Sequence, residues 1–400
     1  MRTQTILRRA AAVISLALAA AADAQTLVER GEYLVRAGDC ISCHTANGGQ
    51  PFAGGLRLDT PFGYMLSPNI TPDADTGIGR WSSNDFYRAL HHGVNKRGQD
   101  MYPTMPYDFY TRVTRADVDA IYAYLRTVKP VRNAVDVNHL DFPFNVRMGM
   151  GVWRELYFNE GTYRPDAVKT ASWNRGAYLV EGLGHCSDCH SPRNLLGGIE
   201  KSKAMSGALI DGWFALDLTS DISTGLGSWS AQELATYFKT GVAKDKTTTL
   251  GPMAEVIRNS LSYLTDDDRL AMAEYLKSLP QDSSLKTGRV APDPTKMRGA
   301  QLYSDNCSGC HQSRGRGVPG VFPPLAGNPV VLAQDPNNIL KVVDRGIRAR
   351  NGFIAMPAFN TQLTDQQVAE IANYVRTSWG NGAAPNATPG MVAKLRVGPN

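Results

Sequence analysis

The placement of the cysteines constrains this sequence more than any other feature. All six occur as pairs separated by two residues, and a histidine follows each pair directly. With 7 His among 400 residues, chance would place a histidine after all three pairs roughly five times in a million. The motifs are Cys40, Cys43 and His44, then Cys186, Cys189 and His190, and finally Cys307, Cys310 and His311.

This spacing is the signature of covalent haem attachment. On a helix, residues three and four apart share a face, so both thiols can bond the two vinyl groups while the imidazole reaches the iron. Three alternatives remain: a disulfide framework, zinc sites, and redox dithiols. A zinc site would need thiolates and imidazoles that converge from two such motifs, and a redox dithiol would need one motif in a βαβ context. A disulfide framework gives no reason for a histidine after every pair. We therefore predict three covalently bound haem c groups, with His44, His190 and His311 as axial ligands of iron.

The surroundings of the three motifs also repeat. Gly31, Gly176 and Gly299 each follow an arginine and lie about ten residues before a motif, where a missing side chain lets another helix cross closely. Three later segments have helical periodicity and begin at a threonine with an acidic or amide residue three positions on, which predicts N-caps. These pairs are Thr114 and Asp117, Thr265 and Asp268, and Thr364 and Gln367.

A short helix, a haem motif, a long loop and a capped closing helix make up each unit, which resembles a class I cytochrome c domain. The predicted fold is all-α, with three such domains in tandem. The predicted boundaries are a signal peptide at 1–24, domains at 25–135, 173–281 and 297–380, linkers at 136–172 and 282–296, and a flexible tail at 381–400.

A haem iron held by one histidine needs a second axial ligand, and methionine in that role raises the reduction potential. A methionine next to a proline lies between each motif and its closing helix: Met105, Met253 and Met356. Methionine also fills gaps in apolar cores, which is the ordinary alternative. In the first unit, Met101 and His92 are rival ligands.

The N-terminus predicts export. Arg2, Arg8 and Arg9 precede an apolar stretch and small residues that end at Ala24, which is typical of a secretory signal; a retained anchor is the alternative. A mean hydropathy of −0.27 with 20% charged residues excludes a multi-span membrane protein and a disordered chain. The formal charge of +5 is too small to indicate nucleic-acid binding. We expect a periplasmic protein at the outer face of the inner membrane.

Longer segments resemble a known family. Ser67, Pro68 and Asn69 open one such segment, Trp81 and Trp229 end two related ones, and Phe322 begins a fourth. Together they are similar to the three-haem cytochrome c subunit of membrane-bound bacterial dehydrogenases, over about residues 27–379. The resemblance implies that a separate flavin, quinoprotein or molybdenum subunit oxidises the substrate.

This resemblance implies an electron-transfer subunit without catalysis of its own, which passes electrons to ubiquinone or a downstream cytochrome. Several relatives end in an apolar or amphipathic anchor, whereas this chain has a polar tail, so we expect membrane association through partners. Two alternatives are a free periplasmic electron shuttle and a peroxidase-type haem enzyme with one open iron.

Overall fold

The computed structural model describes residues 26–281, 293, 295–350 and 352–397. The predicted signal peptide and most of the predicted linker at 282–296 lie outside the described residues. Two compact units divide the chain. The first runs through Pro165 and includes Glu181–His185, and the second contains Asp166–Val180 and the described residues from Cys186 onward.

The first unit is built from short helices around the first cysteine motif. Its helices are α1 (residues 26–37), α2 (Cys40–Cys43), α3 (Ser83–His91), α4 (Tyr107–Tyr110), α5 (Arg115–Leu125) and α6 (Gly149–Tyr157). Strands β1 (Arg57–Thr60), β2 (Gly63–Leu66) and β3 (Asn138–Leu140) form an antiparallel sheet in that order. The core includes Val118 and Ile121 of α5, both buried.

The second unit contains the other two motifs. Around the second motif lie α7 (Ala171–Tyr178), α8 (Cys186–His190), α9 (Ala231–Thr240), α10 (Gly251–Asn259) and α11 (Asp266–Lys277), with 3₁₀ turns at Lys201–Lys203 and Leu261–Tyr263. A π-helical segment (Leu179–Leu183) follows α7 and passes from the second unit into the first. Two hairpins accompany them: β4 (Ala208–Ile210) with β5 (Trp213–Ala215), and β6 (Val242–Ala243) with β7 (Thr247–Thr248). Around the third motif lie α12 (Lys296–Asn306), α13 (Ser308–His311), α14 (Pro329–Leu332), α15 (Asn337–Arg345), α16 (Asp365–Thr377) and α17 (Pro389–Val397).

The fold is therefore largely helical, as predicted, but it also has these small antiparallel sheets. The short strands lie in segments for which the sequence predicts loops or a linker. Gly63, with φ 112°, turns between β1 and β2, a backbone conformation that side chains with a Cβ rarely adopt. None of the helices among the described residues has the length and apolar composition needed to cross a bilayer.

Each motif is preceded by a helix that crosses a closing helix at a glycine, as predicted. A Cβ at Gly31 would overlap the backbone oxygen of Ala120 on α5, and one at Gly176 would overlap that of Ala271 on α11. At Gly299, a Cβ would lie 2.5 Å from the backbone oxygen of Glu370 on α16. The close approach of two backbones is the physical reason for glycine at all three positions.

The predicted N-caps are present on all three closing helices. The Thr114, Thr265 and Thr364 hydroxyls accept hydrogen bonds from the backbone N–H three residues on, at 3.2, 3.1 and 3.3 Å. Thr364 belongs to a complete capping box with Gln367. In that box the Gln367 side chain accepts a hydrogen bond from the Thr364 backbone N–H, at 2.9 Å.

The acidic residues of the first two pairs also form ion pairs. Asp117 accepts a hydrogen bond from Arg30 at 2.8 Å, and Asp268 forms two hydrogen bonds with Arg175, at 2.8 and 2.7 Å. In the third repeat Glu370 pairs with Arg298. An arginine next to each crossing glycine thus forms an ion pair with a carboxylate on the closing helix.

The crossing at Gly176 gives a stability prediction. Gly176→Ala is expected to lower the free energy of unfolding by about 1–3 kcal/mol, because the new methyl group meets a helix backbone that cannot rotate away. Denaturant unfolding followed by circular dichroism measures this change. Gly382→Ala is the matched control, since nothing lies within 4 Å of a Cβ at that exposed position. Equal unfolding midpoints for the two variants would contradict the crossing argument.

The predicted flexible tail at 381–400 contains a folded helix instead. Val392 of α17 is fully buried, and Arg396 bonds Asp344 at 2.8 Å and Asp365 at 2.6 Å. A composition rich in glycine, alanine and proline suggested mobility, but long-range ion pairs and several buried residues hold the segment. The predicted linker at 136–172 is also partly structured, because it contains β3, α6 and the first residues of α7.

Candidate functional site

The cysteine motifs lie on short helices, as the spacing predicted. His44 N–H donates to the backbone oxygen of Cys40 at 3.0 Å, and His311 N–H donates to that of Cys307, also at 3.0 Å. These bonds are helical turns, which place the two sulfurs of a motif three residues apart on one face. All six cysteines lie among the described residues and are thiols rather than disulfides, so the disulfide alternative fails.

Burial keeps the first cysteine of each pair in the protonated thiol form. It raises the pKa of Cys40 and of Cys186 to about 12, and the pKa of Cys307 to about 11. Redox-active cysteines act as thiolates, and their surroundings lower the pKa of the thiol, so this burial argues against a redox dithiol. A neutral thioether, by contrast, suits an apolar environment.

Among the described residues, none of the cysteine motifs belongs to a cluster of potential metal ligands, as a zinc site would require. Over the described part of the chain, only His91, His92 and Glu160 form a group of three or more potential metal ligands within reach of one another, and it contains no cysteine. The geometry therefore favours separate attachment sites over shared zinc coordination.

The three motif histidines share one hydrogen-bonding arrangement. The ring Nδ1 of each lies within hydrogen-bond distance of a backbone carbonyl oxygen: His44 to Pro68 at 2.8 Å, His190 to Leu216 at 2.6 Å and His311 to Pro323 at 3.1 Å. Because a carbonyl oxygen can only accept, Nδ1 carries the proton and the lone pair is on Nε2. Burial lowers the pKa of all three rings, which favours the neutral form that binds metals.

These carbonyl partners could not be predicted from spacing along the chain. Pro68 and Pro323 do lie in two of the segments that carry the family resemblance, so a signal was present without its function. The turns after Pro68 and Leu216 are built alike. The side chain of Asn69 accepts a hydrogen bond from Thr71 N–H at 2.9 Å, and Asp217, next to Leu216, accepts one from Thr219 N–H at 2.7 Å.

The third motif opens into an apolar cavity. Cys307, Cys310 and His311 line it, and so does Met356. Met356 is held there by a two-residue bridge in which its N–H and carbonyl each form a 2.9 Å hydrogen bond with Ile347. The structure thus brings all four predicted site residues of the third unit to one cavity, with the histidine and the methionine contributed by segments far apart in the sequence.

Met105 and Met253 are half-buried in their units. Met105 lies in a tight turn before α4, where its N–H donates to the Tyr102 carbonyl at 3.2 Å and its own carbonyl accepts from Tyr107 N–H at 2.7 Å. Met253 lies in the first turn of α10, two residues after Gly251, which has φ 52° and packs against Trp213. Both positions precede a closing helix, as the position of Met356 does.

The rival ligands of the first unit have other contacts. His92 Nδ1 lies 2.9 Å from a carboxylate oxygen of Glu160. Met101 N–H donates to the Gly93 carbonyl at 2.8 Å. Neither contact involves a residue of the first cysteine motif.

Comparison with known proteins places these motifs in a family context. The cytochrome c family model matches residues 28–129 and 297–379. The chain is 40% identical to the gluconate 2-dehydrogenase cytochrome c subunit of Pantoea cypripedii, with 96% of this chain and 93% of that protein covered.

Two further relatives have partners of other kinds. Identity is 38% with the cytochrome c subunit of the quinone alcohol dehydrogenase of Gluconobacter oxydans, covering 96% of this chain and 85% of that protein. It is 39% with the fructose dehydrogenase cytochrome subunit of Gluconobacter japonicus, covering 93% of this chain and 83% of that protein.

Proposed function

We propose that this chain is a three-haem electron relay. It belongs to the family of dehydrogenase cytochrome c subunits, which bind haem c covalently and transfer electrons without catalysing the oxidation of the substrate. One haem is attached at each cysteine motif. Electrons enter from the catalytic subunit of a sugar, sugar-acid, polyol or alcohol dehydrogenase and leave to the respiratory chain, through ubiquinone or a downstream cytochrome. The observation that carries this proposal is the shared arrangement of the three motif histidines.

That arrangement fits haem at each site. Nδ1 is occupied by a backbone carbonyl in all three repeats, which leaves Nε2 as the atom that would bind iron. The paired cysteines would hold the porphyrin through thioether bonds. Haem c, when bound, supplies an iron that is oxidised and reduced one electron at a time.

The predicted methionine ligands complete the proposal. Met356 lines the same cavity as His311, and a methionine ligand would raise the reduction potential of that haem. Met105 and Met253 are proposed for the same role in the first and second repeats. With both axial positions filled by protein, the iron would have no open face for peroxide, which favours electron transfer over a peroxidase activity.

The second and third sites adjoin within the second unit. Thr247, Thr248 and Leu250, shortly before Met253 in the sequence, line the third cavity together with Met356. Arg350 donates to the Thr249 carbonyl at 3.2 Å. The loops that carry the two proposed methionine ligands are therefore in contact, which supports direct electron exchange between these two haems.

A second contact holds the two repeats together. Asn338 on α15 exchanges two 2.8 Å hydrogen bonds with the backbone of Phe214 on β5, like the bonds of a neighbouring strand. Lys341 on the same helix donates to the Asp211 carbonyl at 3.2 Å and lies 4.8 Å from the centre of the Trp213 ring. Such an interface keeps the two sites at one separation, as a relay requires.

Location and partners follow from the family and the N-terminal sequence. The predicted signal peptide supports a periplasmic chain at the outer face of the inner membrane, attached through its partner subunits. The partner would be a flavin, quinoprotein or molybdenum dehydrogenase, and the three relatives named above act with gluconate, alcohol and fructose dehydrogenases.

Gentle detergent extraction of the native membranes tests this function. We expect the chain to co-purify with a dehydrogenase catalytic subunit, and the substrate of that subunit to reduce the haem absorption within the complex. Isolation of the chain alone, with no reduction by any co-extracted dehydrogenase, would favour the free shuttle. A high-spin ferric haem in the purified chain would favour the enzyme.

A further inference from the structure

We propose that His91, His92 and Glu160 form a binding site for a divalent transition metal such as Zn²⁺, separate from the haem motifs. Each of the three side chains offers one ligand atom, and these atoms all lie within 4.8 Å of one another. His91 ends α3 and His92 follows it directly, whereas Glu160 comes three residues after α6 ends. This inference does not depend on the proposed relay.

The ligand set suits zinc rather than a hard cation. Two imidazole nitrogens and one carboxylate oxygen are typical of zinc sites that keep a fourth position for water. Mg²⁺ and Ca²⁺ prefer oxygen ligands. The chemistry of the donors therefore selects a borderline metal such as Zn²⁺.

The site combines one fixed ligand with two that can adjust. His91 is 5% exposed, and its ring stacks on Tyr87 with 4.7 Å between the centroids. The side chains of His92 and Glu160 are 37% and 45% exposed, so both can move toward a metal. Ligands of a tetrahedral zinc ion lie about 3.3 Å apart, given bonds of about 2.0–2.2 Å, so the closing motion is small.

His91 also has an unused polar atom. Its Nδ1 is buried and has no hydrogen-bond partner among the residues that the structure describes. His92 Nδ1 already lies 2.9 Å from Glu160. The nearby cation Arg154 is paired with Asp100 at 3.2 Å, and that pairing offsets its repulsion of a metal ion.

A metal here would join two segments of the first unit. Arg154 of α6 already donates to the His92 carbonyl at 2.6 Å, so α6 and the end of α3 are in contact without a metal. Zinc bound by His91, His92 and Glu160 would add a coordinate link between the end of α3 and the chain after α6. The expected role is stabilisation of this part of the first unit.

Zinc binding to the full-length holoprotein tests the proposal. After equilibrium dialysis against Zn²⁺, elemental analysis counts zinc against haem iron, and we expect one zinc per chain in the wild type. His92→Ala and Glu160→Gln should each weaken binding at least tenfold, while His139→Ala, which removes a histidine outside the cluster, should leave it unchanged. Haem content per chain verifies that each variant folds.

A second measurement uses stability. Because a ligand that binds only the folded state stabilises it, Zn²⁺ should raise the unfolding temperature of the wild type but not that of Glu160→Gln. No zinc above the level of Glu160→Gln, or equal zinc binding by all variants, would overturn the site.

Discussion

Replacing Cys307 and Cys310 with alanine is expected to lower the covalent haem content from three per chain to two. Thioether bonds to these two sulfurs are the proposed attachment of the third haem. The other four cysteines belong to the first and second motifs, so none is left to replace them. The mass of the intact protein and a pyridine haemochrome assay, after expression in a host that matures cytochromes c, measure the change. The same substitution at Cys40 and Cys43, or at Cys186 and Cys189, should remove one haem each.

Ser308→Ala provides the control within the third motif. This residue lies between the two cysteines, and its hydroxyl donates to the Ser304 carbonyl at 2.7 Å, so it has no part in the proposed attachment. The variant should keep all three haems. If the wild-type protein has the mass of the processed chain without haem, the three-haem proposal is wrong. If one of the three double variants loses all three haems instead of one, that variant has misfolded.

Met356→Ala is expected to keep three attached haems, lower one reduction potential and open one iron to carbon monoxide. Axial ligands set haem potentials over a range of about 0.8 V, so we expect a shift on the order of 0.1 V or more. Alanine cannot reach the iron, and the apolar lining of the cavity offers no replacement on that loop. Redox titration and carbon monoxide difference spectra measure the two effects.

Met356→His and Met297→Ala sharpen this experiment. A histidine at position 356 should lower the potential while keeping the iron closed to carbon monoxide, because a nitrogen replaces the sulfur as ligand. Met297 lies on α12 and is 89% exposed, so its replacement should change neither quantity. Unchanged potentials and no carbon monoxide binding in Met356→Ala would mean that another residue holds the sixth position.

The repeated features that depend on residues close together in the sequence could be predicted from the sequence. The cysteine motifs lie on helices, the crossing glycines meet the closing helices, and the threonine N-caps are where the sequence predicted them. Each of these depends on spacing within a few residues, or on a residue type that only one local geometry requires. The assignments of Met105, Met253 and Met356 as ligands remain predictions, and for Met356 the shared cavity now adds support.

Other features could not be predicted because they join distant segments. The tail helix is held by Arg396 to Asp344 and Asp365, and no local pattern in its sequence indicates these partners. Strand β3 pairs with β2 across more than seventy residues, so the segment after the first closing helix is part of the first unit's sheet rather than a free linker. Composition describes the local chain and carries no information on such pairing.

The sequence alone predicted the covalent chemistry, since two thiols and an imidazole at helical spacing need only one turn of backbone to meet a porphyrin. The tertiary structure alone decided which backbone carbonyl orients each histidine, which methionine shares a cavity with its motif, and that His91, His92 and Glu160 meet. These contacts depend on where long loops return, and that is set by burial and packing across the whole unit rather than by spacing along the chain.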